Sequence, residues 1–427
     1  MRRPRLLVIT QVYVPDPTSV GQHIADTAEE MVRRGWEVVV LASARGYDDP
    51  SVRYPRRETR GGVDIRRLPL SSFGKGSIAI RLLAQSLFMI QAVVRGLFIP
   101  GIDAILVSTS PPFAGFGGRV LGLLRGVPYV WWVMDINPDQ MVRAGRISER
   151  SIVARAFDWL NRQTIRGARS VIVLDRFMRD TIWRKAEAAG KTIVSPPWAY
   201  DNVLEDVPRD ANPFRARHGL DGSFVVMYSG NAGYSTPLDT LLAAAKRLEH
   251  DPRLKFVFIG GGVVKKEIDA MVARESPPNI LTLPYQPFSE LRYSLSAADV
   301  HVVSIADEAI GVVHPCKVYG ALAVGRPVIA LAARESYVGD ILAGGDIGWV
   351  VEHGDVDRLV GILEALPGTG PAVIAGMGLA ARQAAATTYS RATLLACVCD
   401  AIAACAAPPA RAAGASAGSP PVGRVTR

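Results

Sequence analysis

The chain has little cysteine, little histidine and no long uninterrupted hydrophobic run. Its four cysteines, Cys316, Cys397, Cys399 and Cys405, fall late in 427 residues and lack histidines at metal-ligand spacing. This excludes a disulfide framework and fits a reducing compartment. The six histidines are scattered, so no metal is called for. The most apolar stretch, residues 78–100 (IAIRLLAQSLFMIQAVVRGLFIP), is interrupted by Arg81 and Arg95. Its uncharged part is too short to span a bilayer, but it suits a core helix or one lying in a membrane interface. The start, MRRPRLLVITQVYVPDP, has neither a long apolar core nor a small-residue cleavage site, so no signal peptide is expected.

What the sequence does contain is enough for two cores. Half of it is hydrophobic, and its length suits two domains. Short apolar runs such as RLLVIT (5–10), EVVVLAS (37–43), DAILVSTS, PYVWWVMD, SVIVLD and KTIVSPP alternate with helical patterns near 21–34, 112–125, 151–167 and 176–189. A second series, FVVMYSG, KFVFIGG, NILTLPY, DVHVVSI, PVIALA and GWVVE, alternates with helices near 237–249, 263–275, 288–297 and 315–324. Strands alternating with helices mean parallel sheets covered on both faces. The expected fold is therefore α/β, with two doubly wound Rossmann-like domains at 1–190 and 205–385 facing across a cleft. Ligands bind such sheets at the carboxyl ends of the strands. A helix near 390–406 follows, and the Ala/Gly/Pro/Ser-rich tail 407–427 is expected to be disordered.

The net charge of +9 is uneven: Arg53, Arg56, Arg57, Arg60, Arg66, Arg67 and Lys75 face only Glu58 and Asp64 in their segment. Such a patch can meet an anionic bilayer, nucleic acid or phosphorylated substrates, or it can be a solvated basic loop.

Three segments could carry chemistry. Gly21 opens the first helix, and Gly230, Asn231 and Gly233 follow the first strand of the second domain. Neither turn is GxGxxG or a Walker loop, so a nicotinamide or ATPase reading is weak. In GVVHPCKVYGALAVGRPVIA (311–330), Gly311, Val312 and Val313 precede Pro315, and Lys317 falls in the helix's first turn. Free amides at a helix start favour phosphate, and a lysine there opposes the dipole unless an anion compensates it. Asp135 ends an apolar strand and is placed to orient or deprotonate a hydroxyl in the cleft, whereas Asp139 reads as a helix cap. The Asp355–Asp357 pair imitates a metal-binding motif but opens a helix, where acids cap.

The order of VYVPDPTSVGQHIADTAEEMVRRGWEVVVLAS, STSPPFAGFGGRVLGLLRGVPYVWWVMDINPD, SGNAGYSTPLDTLLAAAKRL, FIGGG, LPYQPFSELRYSLSAADVHVV and HPCKVYGALAVGRPVIA resembles family 4 glycosyltransferases. The resemblance is greatest to the branch that adds N-acetylated amino sugars in surface-polysaccharide (O-antigen, capsule, lipopolysaccharide) assembly. It implies the GT-B fold and retaining transfer from a UDP-sugar, with neither a metal nor a further cofactor. Together with the basic segment 53–75 and the apolar stretch 78–99, it points to a lipid-linked saccharide acceptor and a cytoplasmic location at the anionic inner face of the membrane; no nucleic-acid partner is expected. The last helix is expected to cross back onto the first domain. By the resemblance Lys317 and the amides of Gly311, Val312 and Val313 neutralise the leaving diphosphate. Gly230 and Asn231 lie beside the phosphates, Gly260, Gly261 and Gly262 form a turn near the donor, and Gly21 belongs to a loop closing over it. Asp135 matches the family's His-Asp position, with Met134 where many members have histidine. Two family glutamates are replaced by Val312 and Gly320, and basic residues of the 230–237 loop by Asn231 and Ser235 or Thr236. A GT-B sugar-nucleotide epimerase and a non-catalytic two-domain binding protein are the alternatives.

Overall fold

In a computed structural model, residues 2–16, 18–46, 49–71, 78–198 and 206–407 are described. The tail beyond residue 407, Lys75 and the first residue of the 205–223 link lie outside them. Fourteen strands form two sheets among the described residues. The first comprises β1 (Arg5–Ile9), β2 (Glu37–Ser43), β3 (Arg57–Arg60), β4 (Val63–Leu68), β5 (Ala104–Val107), β6 (Tyr129–Trp132), β7 (Ser170–Val173) and β8 (Thr192–Val194). Their spatial order is β3-β4-β2-β1-β5-β6-β7-β8, parallel except for β3. The second comprises β9 (Phe224–Asn231), β10 (Leu254–Gly261), β11 (Ile280–Leu283), β12 (Val300–Ser304), β13 (Val328–Leu331) and β14 (Gly348–Val351), in the order β11-β10-β9-β12-β13-β14. The strands read as continuous apolar runs because helices cover both faces of each sheet.

The order reverses between β1 and β5 in the first sheet and between β9 and β12 in the second. In open α/β sheets a crevice opens outside the carboxyl ends of strands at such a reversal. Both halves of the candidate site lie there.

Six helices flank the first sheet: α1 (Ser19–Arg33), α2 (Ile78–Leu97), α3 (Ala114–Arg125), α4 (Asp139–Arg143), α5 (Ile152–Gly167) and α6 (Arg176–Lys185). Thr18 caps α1 by accepting from the Gly21 amide, and Gly35, at φ +87°, ends the turn that follows it. The C-terminal helix Arg391–Ala406 joins this domain too. Leu394, Leu395, Val398, Cys399, Ile402 and Cys405 enter its core, and Arg391 pairs with Asp26 at 2.9 Å. Full burial of each large aliphatic side chain contributes roughly 1.5–3 kcal/mol.

The basic segment differs from a solvated loop. Residues 57–68 form a β-hairpin, with Gly61 and Gly62 at φ +56° and +81° making its turn. Arg57 and Arg66 pair with Asp64, and the buried Arg67 pairs with Glu58. Only part of the apparent positive patch therefore faces solvent as uncompensated charge. Asp355 caps the helix Val356–Ala365 by accepting from the Arg358 amide, and Asp357 pairs with Arg247. Asp139 is not a cap: Pro138 precedes it at that position, and its carboxylate pairs with the buried Lys185 at 2.8 Å.

Candidate active site

The second-domain half of the site is built on close backbone approach. β9 and β10 end side by side at Gly230 and Gly260, both with left-handed φ (+138° and +128°). A Cβ on Gly260 would stand 2.1 Å from the Gly230 carbonyl oxygen, and one on Gly230 would stand 2.3 Å from Cε of Lys317. Glycine is required at both positions, and at Gly230 it leaves the slot in which the lysine stem lies. Asn231 and Gly262 continue this edge, where a Cβ on Gly262 would press on the Ala232 carbonyl and the Asn231 side chain. Gly261 packs against the ring of Tyr285.

Lys317 is half-buried, with Nζ 5.3 Å from the ring centroid of Tyr228. It forms no ion pair among the described residues, and burial lowers its pKa to about 8. The Tyr228 hydroxyl donates to the Asn231 carbonyl at 2.7 Å, so one aromatic ring supports both the lysine and the glycine edge. A cation without a carboxylate, at the carboxyl ends of strands and beside bare backbone, is equipped to meet an anion.

The helix after this edge is shorter than its sequence suggests, running from Lys317 to Ala323 rather than from 315. Gly325, at φ +64°, stops it, and Arg326 N returns to the Ala321 carbonyl. The expectation of free amides at 311–313 needs correction at Val312 and Val313. Val312 N and Val313 N both donate to the Ala309 carbonyl, at 3.1 and 3.0 Å. Val312 is fully buried among first-domain core residues, and its carbonyl accepts from Ile136 N at 2.9 Å. A carboxylate at that position would have to be desolvated, which is why valine suits this interface. Gly311 has φ +77°, and a Cβ there would stand 2.8 Å from the Phe177 carbonyl across the domain boundary. The amides of Val312 and Val313 are therefore engaged at the interface, and Lys317 supplies a positive charge that can meet an anion. A Cβ on Gly320 would touch only Leu295, at 3.3 Å, so nothing in the backbone explains a glycine there.

The other half comes from the first domain. Asp135 pairs with Val313 in an antiparallel bridge across the cleft. Its Oδ1 is buried without a hydrogen-bond partner among the described residues, Thr109 lies beside the carboxyl, and burial raises its pKa. A cavity of about 450 Å³ opens at Asp135 and runs back over the ends of β1 and β5. The start of α1 reaches across as well: the Ser19 hydroxyl lies within hydrogen-bonding reach of the Cys316 thiol, which burial pushes up to about 11. Gly21, in the first turn of α1, lets that turn sit on Tyr13, since a Cβ would stand 3.2 Å from the Tyr13 Cα.

Sequence reasoning missed the contacts that close the two halves together. His314 Nδ1 donates to Asp175 Oδ2 at 2.8 Å, and Asp175 caps α6 through the Met178 amide. The other ring nitrogen, Nε2, lies 2.8 Å from the Tyr319 hydroxyl, which donates to the Tyr337 hydroxyl at 3.0 Å. Arg143 donates to the Ile310 carbonyl, Arg176 pairs with Asp340, and the Arg146 guanidinium lies 3.7 Å from the Tyr234 ring centroid. The signal available beforehand was His314 itself, three residues before the lysine.

Two doubly wound domains facing across a cleft are the GT-B architecture. The comparisons with known proteins agree. Residues 18–198 match the model of a glycosyl transferase 4-like domain, and residues 210–366 match glycosyl transferases group 1. The chain belongs to the family 4 glycosyltransferases. It is similar to an Escherichia coli (strain K12) protein described as a colanic acid biosynthesis glycosyl transferase, WcaI, with 27% identity over 85% of this chain and 92% of that protein. It is also similar to the glycosyltransferase WbjE of Pseudomonas aeruginosa, with 22% identity over 85% and 89%. Sucrose-phosphate synthase from Thermosynechococcus elongatus shares the fold at TM-score 0.70 and 17% identity, covering 93% of this chain and 97% of that one. Anabaena HepE in complex with UDP-glucose does so at TM-score 0.69 and 15% identity, covering 94% and 99%.

Proposed function

We propose that this glycosyltransferase moves a sugar of N-acetylhexosamine type from a UDP-sugar to a lipid-linked saccharide, with retention and without a metal ion. The observation that carries this reading is Lys317: a half-buried cation with no carboxylate partner among the described residues, beside the carboxyl ends of the strands, in a slot that only glycine leaves open. UDP as the nucleotide is supported by the HepE complex. The amino-sugar class is supported by the sequence resemblance to that branch. A peripheral position at the cytoplasmic face of the membrane is supported by α2, whose residues Ile80–Leu97 are apolar yet only 28% buried.

The bond from the anomeric carbon to the donor's diphosphate breaks, and charge gathers on the departing oxygen. Lys317 stabilises that charge in a partly dry setting, where a cation is worth more than in water. The new bond forms from an acceptor hydroxyl oxygen to the same carbon, on the face from which the diphosphate departs, as retention requires, and Asp135 takes the hydroxyl proton. Its raised pKa suits a proton acceptor better than a fully solvated carboxylate would.

Incubation with a panel of UDP-, GDP- and TDP-sugars, with and without a lipid-linked saccharide, tests the proposal. The expected result is UDP release that depends on the acceptor. Interconversion of sugars without acceptor would instead identify an epimerase, and failure to bind any nucleotide sugar would remove the catalytic reading.

A further inference from the structure

We infer that His314 is the positioning residue for Lys317: pinned between Asp175 of the first domain and Tyr319 of the second, it ties the place of the lysine to the seating of one domain on the other. This role rests on the transferase reading above, which assigns Lys317 to the departing diphosphate, and adds what holds that cation in place.

The helix carrying Lys317 is seven residues long, Lys317–Ala323, and the chain approaches it along the other domain. Gly311 lies against the Phe177 carbonyl, Val312 enters the first-domain core, and Val313 bridges to Asp135. The stem of the lysine, however, lies in the slot left by Gly230 of the second domain. A shift of one domain against the other therefore moves the root of the lysine relative to its slot.

His314 is a polar tie in this approach. Its side chain and that of Asp175 are 0% and 2% exposed, with Nδ1 2.8 Å from Oδ2. The other Asp175 oxygen accepts from the Met178 amide at 2.7 Å, so the carboxylate cannot turn away without uncapping α6. Nε2 of His314 faces the hydroxyl of Tyr319, which belongs to the lysine's own helix and donates to Tyr337, the first residue of the helix Tyr337–Ala343. That helix also carries Asp340, paired with Arg176 of α6 at 2.6 Å, but this pair is partly exposed and is screened by salt. The enclosed pair is not. Parting His314 from Asp175 leaves two polar groups inside the protein without partners, so the pair favours the seating in which Lys317 fills its slot. Tyr389, whose ring lies 5.6 Å from that of Tyr319, directly precedes the cap of the last helix. The chain thus returns to the first domain through the same cluster. With its side chain enclosed and outside the lining of the Asp135 cavity, His314 meets no substrate atom and acts through the lysine.

Acetylation footprinting of the free protein, read by mass spectrometry at each lysine, reports where the Lys317 amine lies without any ligand. Tyr319→Phe removes one hydroxyl and keeps the ring. Asp175→Asn keeps an acceptor for the Met178 amide and removes the charge beside His314, and His314→Ala removes both links. Lys317 should be labelled about threefold faster or more in each variant, while the exposed Lys246 and the buried Lys265 of the same domain keep their rates. An equal rise at Lys265 would show general loosening and overturn the inference, as would an unchanged rate at Lys317. If His314→Ala fails to fold, Tyr319→Phe, which removes only an oxygen, decides the matter. UDP affinity supplies a second readout: each variant should lose about three- to tenfold with Lys317 present, and less than about twofold in a Lys317→Ala background. Equal losses in both backgrounds would refute action through Lys317. A wild-type protein that binds no UDP would refute the transferase reading, and the labelling result would still decide the role of His314.

Discussion

Lys317 lies in a slot whose opposite wall is the missing side chain of Gly230. With its pKa near 8, the free enzyme loses this charge as pH rises through 8. Because kcat/KM reports groups of the free enzyme, donor kcat/KM should decline above pH 8. In Lys317→Arg the decline should move beyond pH 10, since guanidinium stays charged. A limb that does not move would assign the titration to another group. Gly230→Ala tests the slot from the other side. It should lose roughly 1–3 kcal/mol of stability from backbone strain alone, and UDP affinity should fall with the displaced lysine. Combined with Lys317→Ala, which removes the clashing atoms, the stability cost should fall below the sum of the two single costs. Thermal melts of the three variants check this. Additive costs would show that the alanine methyl and the lysine do not meet.

At the scale of elements, α2 buries one face and exposes another. Ile90, Val94 and Phe98 continue a stripe at helical spacing and stand largely in solvent, beside the exposed Leu123 and Leu124 of α3. If this stripe seats the protein on a bilayer, replacing Ile90, Val94 and Phe98 with serine should reduce sedimentation with anionic vesicles by tenfold or more, by about 0.8 kcal/mol for each methylene withdrawn. Turnover of a soluble acceptor should persist. Unchanged sedimentation would rule the stripe out. The apolar pattern of α2 was legible because amphipathic spacing needs no partner to be seen. The β3–β4 hairpin was hidden by its arginines, although Gly61-Gly62 between two short runs is a turn signal. The 16-residue helix Pro371–Ala386 also went unread before the last helix, its near-uniform small residues giving little periodicity. The site was half legible. Gly230 and Asp135 stand at strand ends and Lys317 at a helix start, where sequence order places them. The engaged amides of Val312 and Val313, by contrast, depend on the Ala309 carbonyl, which no pattern of side chains reveals.

For the whole molecule, the cleft is held by groups from both domains, and the first domain is held by the end of the chain. Deleting residues 391–407 removes seven buried residues of the last helix and the Arg391–Asp26 and Arg34–Asp400 pairs. Buried aliphatic loss dominates, since exposed ion pairs contribute about 0–1 kcal/mol each. Calorimetry of the truncated protein should show the first domain melting early or not cooperatively, with the second domain largely retained. Two intact transitions would refute that dependence. The same geometry matters while the protein is still being made. The last strand of the first sheet leaves the ribosome roughly 200 residues before the helix that covers part of it. At about 5–20 residues per second the nascent domain waits roughly 10–40 s with apolar surface open to chaperones and to neighbouring chains. Expression at lower temperature or with a trigger-type chaperone should therefore raise soluble yield more than codon changes within the first domain.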